Sequence, residues 1–213
     1  MFNTILLLLY LCVVAGLSLF MLRLGKEAAC MWLVMLGLSM NLFVIKQISL
    51  FSLHVTASEA LVVGYLLTLN LIQEFYGAAS AQRAVRTNFF ILLAFVLLSR
   101  LHLLYQGEPN HDIFTPLPRL FLASLASFFV VQFFDLALFA RLRRALAGRY
   151  LVLRTMLCLL ASQTIDTFLF TFLGLWGLVD HPFHVIAFSL LVKSAIILLQ
   201  APFAALARRV VDV

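Results

Sequence analysis

LVLRTMLCLLASQTIDTFLFTFLGLW, running from Leu151 to Trp176, is long and apolar enough to cross a bilayer, yet it carries Ser162, Gln163, Asp166 and Thr167 near its middle. About 20 apolar residues span the ~30 Å hydrocarbon core as an α-helix. An ionised carboxylate at the centre of such a helix costs about 2.5–3.5 kcal/mol on insertion scales, so it faces protein rather than lipid. The segment therefore predicts a transmembrane helix with one polar stripe, and that stripe needs other helices to bury it.

The rest of the chain supplies them. Of 213 residues, 64% are hydrophobic and 11% are charged, where soluble domains carry about 25% charged residues. Mean hydropathy is +1.10. One soluble core could not hide so much apolar surface, whereas a bilayer solvates it if each crossing satisfies its own backbone. Seven spans are predicted: Asn3 to Leu22, Ala28 to Leu50, Ala57 to Tyr76, Asn88 to Tyr105, Leu120 to Ala140, Leu151 to Trp176 and Phe183 to Ala207. The third is interrupted by Glu59, Asn70, Gln73 and Glu74. The chain reads as one integral membrane domain over residues 1–213, an all-α polytopic helical bundle in the lipid bilayer.

The first span lacks a basic leader, and its positive residues, Arg23 and Lys26, follow it. It is expected to stay as a peripheral, lipid-facing helix rather than be removed as a signal peptide. Arg83 and Arg86 follow the third span, Arg141, Arg143, Arg144, Arg149 and Arg154 surround the turn after the fifth, and Arg208 and Arg209 follow the seventh. If seven helices alternate, all these clusters share one side, which the positive-inside rule makes cytoplasmic: N-terminus out, C-terminus in. The net charge of +6 is thus spent in loops, and nucleic acid is not an expected partner.

Polar side chains inside the spans point to function. They are Asn41 and Lys46 in the second, Asn70, Gln73 and Glu74 in the third, Gln132 and Asp135 in the fifth, Gln163, Asp166 and Thr167 in the sixth, and Lys193 in the seventh. Spacings of three and four residues put those of one helix on one face, and five such stripes predict a shared interior cavity. The bland alternative is pairing: Lys46 and Lys193 can knit the bundle to acids, and amides can bond between helices for about 0.6–2 kcal/mol each. Two lysines against Glu74, Asp135 and Asp166 still leave one carboxylate over. Helices five and six also share a Q-x-x-D-x-x-L-F pattern, at Gln132 and at Gln163.

Other chemistry is thin. Cys12, Cys30 and Cys158 have no metal spacing. His181 and His184 flank Pro182 with no further ligands near in sequence, so no metal site is expected. No P-loop, H-E-x-x-H or G-x-S-x-G element supports ATP hydrolysis or hydrolase chemistry.

Taken in order, the polar segments resemble the queuosine-precursor transporter family, also called the VUT family. The resemblance rests on Asn41 with Lys46, on Asn70 to Gly77 with Arg83 and Arg86, and on Gln132, Asp135 and Phe139 running into Arg141 and Arg143. Arg154, the Ser162-to-Phe170 run and Lys193 complete it. It covers roughly residues 28 to 207 and implies a six-helix core to which the first helix is an addition. The segment after Asn70 departs from the usual pattern, with Leu71, Ile72 and Gln73.

The resemblance implies import of a 7-deazaguanine (preQ0, preQ1 or queuine) for queuosine modification of transfer RNA, with no cofactor, through the inner membrane of a bacterium. The residues found independently suit such a ligand. A carboxylate accepts from the N1–H and amine edge of a guanine-like ring, Asn and Gln donate and accept, and Phe133, Phe134, Phe168 or Phe170 can stack on it. Asp166 is the carboxylate expected at that edge. Self-association into a homo-oligomer is compatible with the reading. Two other readings share the pattern: a substrate-binding membrane subunit driven by a separate ATPase, and a membrane enzyme, against which the missing catalytic motifs weigh. Topology has a direct test: reporter fusions after Arg86 and after Arg209 should both report the cytoplasm, and opposite sides would refute alternating seven-helix topology.

Overall fold

A computed structural model describes residues 2–43, 47–50, 53–56, 58–102, 104–105, 118–177 and 182–211. Among them are seven α-helices: α1 (Phe2–Leu24), α2 (Lys26–Phe43), α3 (Glu59–Tyr76), α4 (Ala78–His102), α5 (Pro118–Ala145), α6 (Leu151–Phe170) and α7 (Pro182–Val211). A π-helical turn, Thr171–Leu175, extends α6. Each helix coincides with one predicted span, within a few residues for most ends; α4 begins ten residues early, directly after Gly77.

The second span is a correction. Helix was expected to run to Leu50, but α2 stops at Phe43, and β1 (Gln47–Leu50) pairs antiparallel with β2 (Leu53–Thr56). The register sets Gln47 against Thr56 and Leu50 against Leu53. The physical reason is visible in QISL and LHVT: apolar and polar residues alternate with period two, which suits a strand with two unlike faces. Lys46 falls at residues 44–46, outside the described residues, as do His181 and most of the loop before α5.

The centre of the bundle is α3. Every residue from Glu59 to Gln73 except Val62 is buried, and the helix contacts each of the other six. The span that sequence makes the most polar is thus the one shielded from lipid on all sides, which removes the penalty for its polar groups. Close approach is built from small residues. A Cβ at Gly64 would run into Val14 Cγ1, and one at Gly37 would lie 2.5 Å from Asn88 Oδ1.

The outer helices carry the membrane surface. Five segments, Asn3–Leu24, Ala78–His102, Leu125–Ala145, Leu151–Gly174 and Pro182–Val210, have the length and composition of membrane spans. They expose Ile5, Leu9, Leu97, Leu98, Leu191 and Leu198 outward, where acyl chains take the place of a protein core. The helix α1 is not merely peripheral. Its outer face is exposed, but Leu11, Val14, Ala15, Ser18 and Leu22 are buried against α3, α7 and α2.

Candidate functional site

Three polar layers are strung along α3. At its C-terminal end, Glu74 accepts two hydrogen bonds from Arg154, Nη1 to Oε2 at 3.0 Å and Nη2 to Oε1 at 2.9 Å. Arg143 and Arg208 approach the same carboxylate at 3.4 and 3.7 Å. Arg154 is wholly buried and also donates to the backbone carbonyls of Arg149 and Gly148. The positive φ of Gly148, +72°, is a conformation open to glycine at no steric penalty, and its carbonyl receives Arg208 as well as Arg154. Phe139 lies under the guanidinium at 5.2 Å. Two of the four basic clusters read from sequence as sharing one side, those after α5 and after α7, thus meet at Glu74.

One turn back along α3, Asn70 faces the middle layer. Asp135 of α5 is fully buried. Its Oδ1 accepts from Ser162 at 2.6 Å and from Cys158 at 3.1 Å, both on α6. Oδ2 has no hydrogen-bond partner, and among the described residues no cation pairs with this carboxylate. The Asn70 amide interacts with it without completing a hydrogen bond, so both ends of that amide stay unpartnered. Gln163 of α6 and Gln200 of α7 are buried with both amide atoms unpartnered too. Buried polar atoms are normally bonded, and each exception asks for a reason. Here the exceptions concentrate on the helices around α3, and they comprise acceptors and donors in planar groups.

The third layer lies at the other end of α3, about 22 Å from Glu74 at 1.5 Å per residue. Lys193 of α7 donates to Asp166 Oδ2 at 2.9 Å and to Thr167 at 3.2 Å, and pairs with Glu59 at 3.9 Å. Thr167 in turn donates to the carbonyl of Gln163 at 2.8 Å.

The predicted residues are therefore divided among distinct environments, and the described residues do not bring them into one cavity. Glu74 belongs to the arginine layer, Asp166, Thr167 and Lys193 to the opposite end, and Asn70, Asp135 and Gln163 to the middle. Gln132 accepts from Tyr65 at 2.8 Å, Gln73 donates to the Leu136 carbonyl at 3.1 Å, and Asn41, among the described residues, bonds its own helix at the Gly37 carbonyl. The Q-x-x-D echo has no common role: Asp135 meets neutral donors and Asp166 meets a lysine. Phe133 and Phe168 stand partly exposed on the outer surface, where Phe168 stacks on Phe172. A cleft of about 200 Å³ opens beside Gln73, Gln82 and Phe133.

Sequence reasoning passed over several participants. Asn88 donates to Tyr65, and Thr68 and Trp32 both donate to Ser18 of α1. Gln200 stands out in an apolar run by the rule that found Lys193 and should have been named with it. Tyr65, Thr68 and Ser18 are common enough in membrane helices that sequence alone gives no signal.

A family model described as "Putative vitamin uptake transporter" matches residues 56–207, the hairpin end through α7. The "Probable queuosine precursor transporter" of Bacillus subtilis (strain 168) is 30% identical over 198 residues, covering 88% of this chain and 86% of that protein. No solved structure matches the chain.

The arginine layer yields a stability prediction. Arg154→Ala leaves the buried Glu74 with two longer, half-exposed partners, and breaking a buried pair typically removes about 3–5 kcal/mol. Arg154→Lys should recover only part of it, since an ammonium cannot reproduce the fork. Thermal unfolding of the purified variants in detergent checks this; an unchanged midpoint for Arg154→Ala would refute it.

Proposed function

The chain belongs to the vitamin uptake transporter family, and on that premise we propose that it imports a queuosine precursor, a 7-deazaguanine base, across the inner membrane of a bacterium. The observation that supports this most is Asp135: a buried carboxylate with no cation partner among the described residues, one oxygen held by Ser162 and Cys158 and the other open.

A guanine-like edge presents two parallel donors, the ring N1–H and the exocyclic amine. Asp135 Oδ2 accepts from that edge, while Ser162 and Cys158 fix the rotamer by saturating Oδ1. The amides of Asn70 and Gln163 can donate to the ring carbonyl and accept from the amine. A buried, unpaired carboxylate is unfavourable until a ligand supplies donors, so the empty carrier has reason to bind. The protonatable amine of preQ1 or queuine adds charge compensation that preQ0 lacks. Asp166, the residue first expected at the edge, is already engaged by Lys193 and takes a different part.

We place the arginine layer at the cytoplasmic face. The bonds there join α3, α5, α6 and α7 and hold that end shut, so release inward requires Glu74 to part from some of its partners. Alternating exposure of a midplane site to the two sides is the usual scheme for such carriers.

The test is uptake of labelled precursor by a strain that cannot make it, expressing the wild type or Asp135→Asn. The isosteric amide turns one acceptor into a donor, and a buried mismatch of that kind costs about 1–3 kcal/mol. Uptake should fall about tenfold or more at unchanged membrane abundance, and wild-type uptake by Asp135→Asn would remove Asp135 from the recognition site.

A further inference from the structure

Near their middles α4 and α5 meet through aromatic rings: Phe89 lies 4.3 Å from Phe129, and Phe129 4.7 Å from Phe133, centroid to centroid. Toward the arginine end that contact gives way to small residues, Ala78 on α4 and Ala137 and Ala140 on α5, and the cleft of about 200 Å³ opens between them. Gln73 of α3 lines it from within and is 2% exposed. Its amide nitrogen is spent on the Leu136 carbonyl, while Oε1 has no donor. A buried acceptor left without a donor asks for a reason.

The cleft faces the bilayer and not the middle layer. Ala78, Gln82, Phe133 and Ala137 of its lining are exposed. Asp135 leaves α5 on the other side, toward Ser162 and Cys158 of α6. The rim is basic. Arg141 follows Ala137 by four residues, Arg144 follows Ala140 by four, and Arg86 follows Gln82 by four, so each continues a helix face that lines the cleft. All three arginines are exposed, and among the described residues none pairs with a carboxylate. Glu74 nearby is taken by Arg154, Arg143 and Arg208. Ala78 is also the first residue of α4, and the first N–H groups of a helix have no intrahelical acceptor and favour an anion.

We propose that this cleft is a specific lipid site, which seats the headgroup of phosphatidylglycerol. The phosphodiester lies between the start of α4 and the guanidinium groups of Arg141 and Arg144. Arg86 reaches it from the bilayer side, its stem lying along apolar surface. A headgroup hydroxyl donates to Gln73 Oε1, and the acyl chains run over the exposed rings of Phe133 and Phe90.

The chemistry selects this occupant. An acyl chain suits a cleft that opens between two lipid-facing helices, a single negative charge suits three unpaired arginines, and a hydroxyl suits a lone acceptor. Phosphatidylethanolamine brings a donor but no net charge. A soluble phosphate brings the charge but nothing for the apolar wall. A 7-deazaguanine would meet one amide oxygen here, against the carboxylate and amides of the middle layer.

The experiment is native mass spectrometry of the delipidated full chain in detergent, with phosphatidylglycerol, phosphatidylethanolamine and phosphatidylmethanol as probes. The last has the charge of phosphatidylglycerol but no headgroup hydroxyl. The wild type should retain one phosphatidylglycerol in preference to both. Loss of the hydroxyl should weaken binding about fivefold, the effect of one net hydrogen bond. Arg144→Gln should weaken phosphatidylglycerol about fivefold, as expected for one basic residue near a lipid surface, and Arg100→Gln, at the other end of α4, should not. Ala137→Leu keeps every charge but fills the cleft, and it should abolish the preference for phosphatidylglycerol over phosphatidylmethanol. Equal retention of the three lipids by the wild type, which needs no variant to fold, overturns the proposal. So does an unchanged preference in Ala137→Leu, equal weakening by Arg100→Gln, or displacement of the lipid by free glycerol phosphate or by preQ1.

Discussion

Polar groups on a helix in lipid must find their partners inside the protein, and α3 imposes that constraint on every other element. Glu59, Tyr65, Thr68, Asn70, Gln73 and Glu74 lie on one helix of 18 residues, too many and too evenly spread around it for any single neighbour to serve. The bundle answers with a ring. Ser18 comes from α1, Asn88 from α4, Gln132 from α5, Arg154 from α6 and Lys193 from α7. The strongest of these contacts is the forked pair of Arg154 and Glu74, in which the guanidinium gives four hydrogen bonds, two to the carboxylate and two to backbone carbonyls. It needs the tight α5–α6 turn to aim the Gly148 carbonyl, and that turn needs residues with positive φ at Ala147, Gly148 and Tyr150.

The number of helices and most of their bounds were legible because hydropathy decides them. Three things were not. The hairpin after α2 was hidden because QISLFSLHVT is apolar enough to continue a helix, and only its period-two alternation betrays it. The centrality of α3 was hidden because a span interrupted by Glu59, Gln73 and Glu74 looks weak on a hydropathy scale, although the polarity is what its burial permits. The partition of the carboxylates was hidden because intrahelical spacing tells which residues share a face and not which helix stands opposite. Asp135 and Asp166 occupy equivalent places in matching motifs, yet one faces Ser162 and Cys158 and the other a lysine.

That partition gives each acid its own task. Glu74, surrounded by arginines, is an anchor at one end. Asp166 and Glu59 both pair with Lys193 at the other. Asp135, between them, has neutral donors on one oxygen and none on the other. Glu74 is paired by Arg154, which a count of three acids against two lysines leaves out; Lys46 lies outside the described residues, and among those described Asp135 has no cation beside it.

The central claim is that the base is read by Asp135 in the middle of the bundle. Its most direct test is an experimental structure of the protein with a bound 7-deazaguanine. The N1–H and exocyclic amine edge should lie about 3 Å from Asp135 Oδ2, a normal hydrogen-bond length, with the Asn70 and Gln163 amides on the same ring. A base lodged instead in the cleft beside Gln73 and Phe133, or against Lys193, with Asp135 untouched, would contradict it.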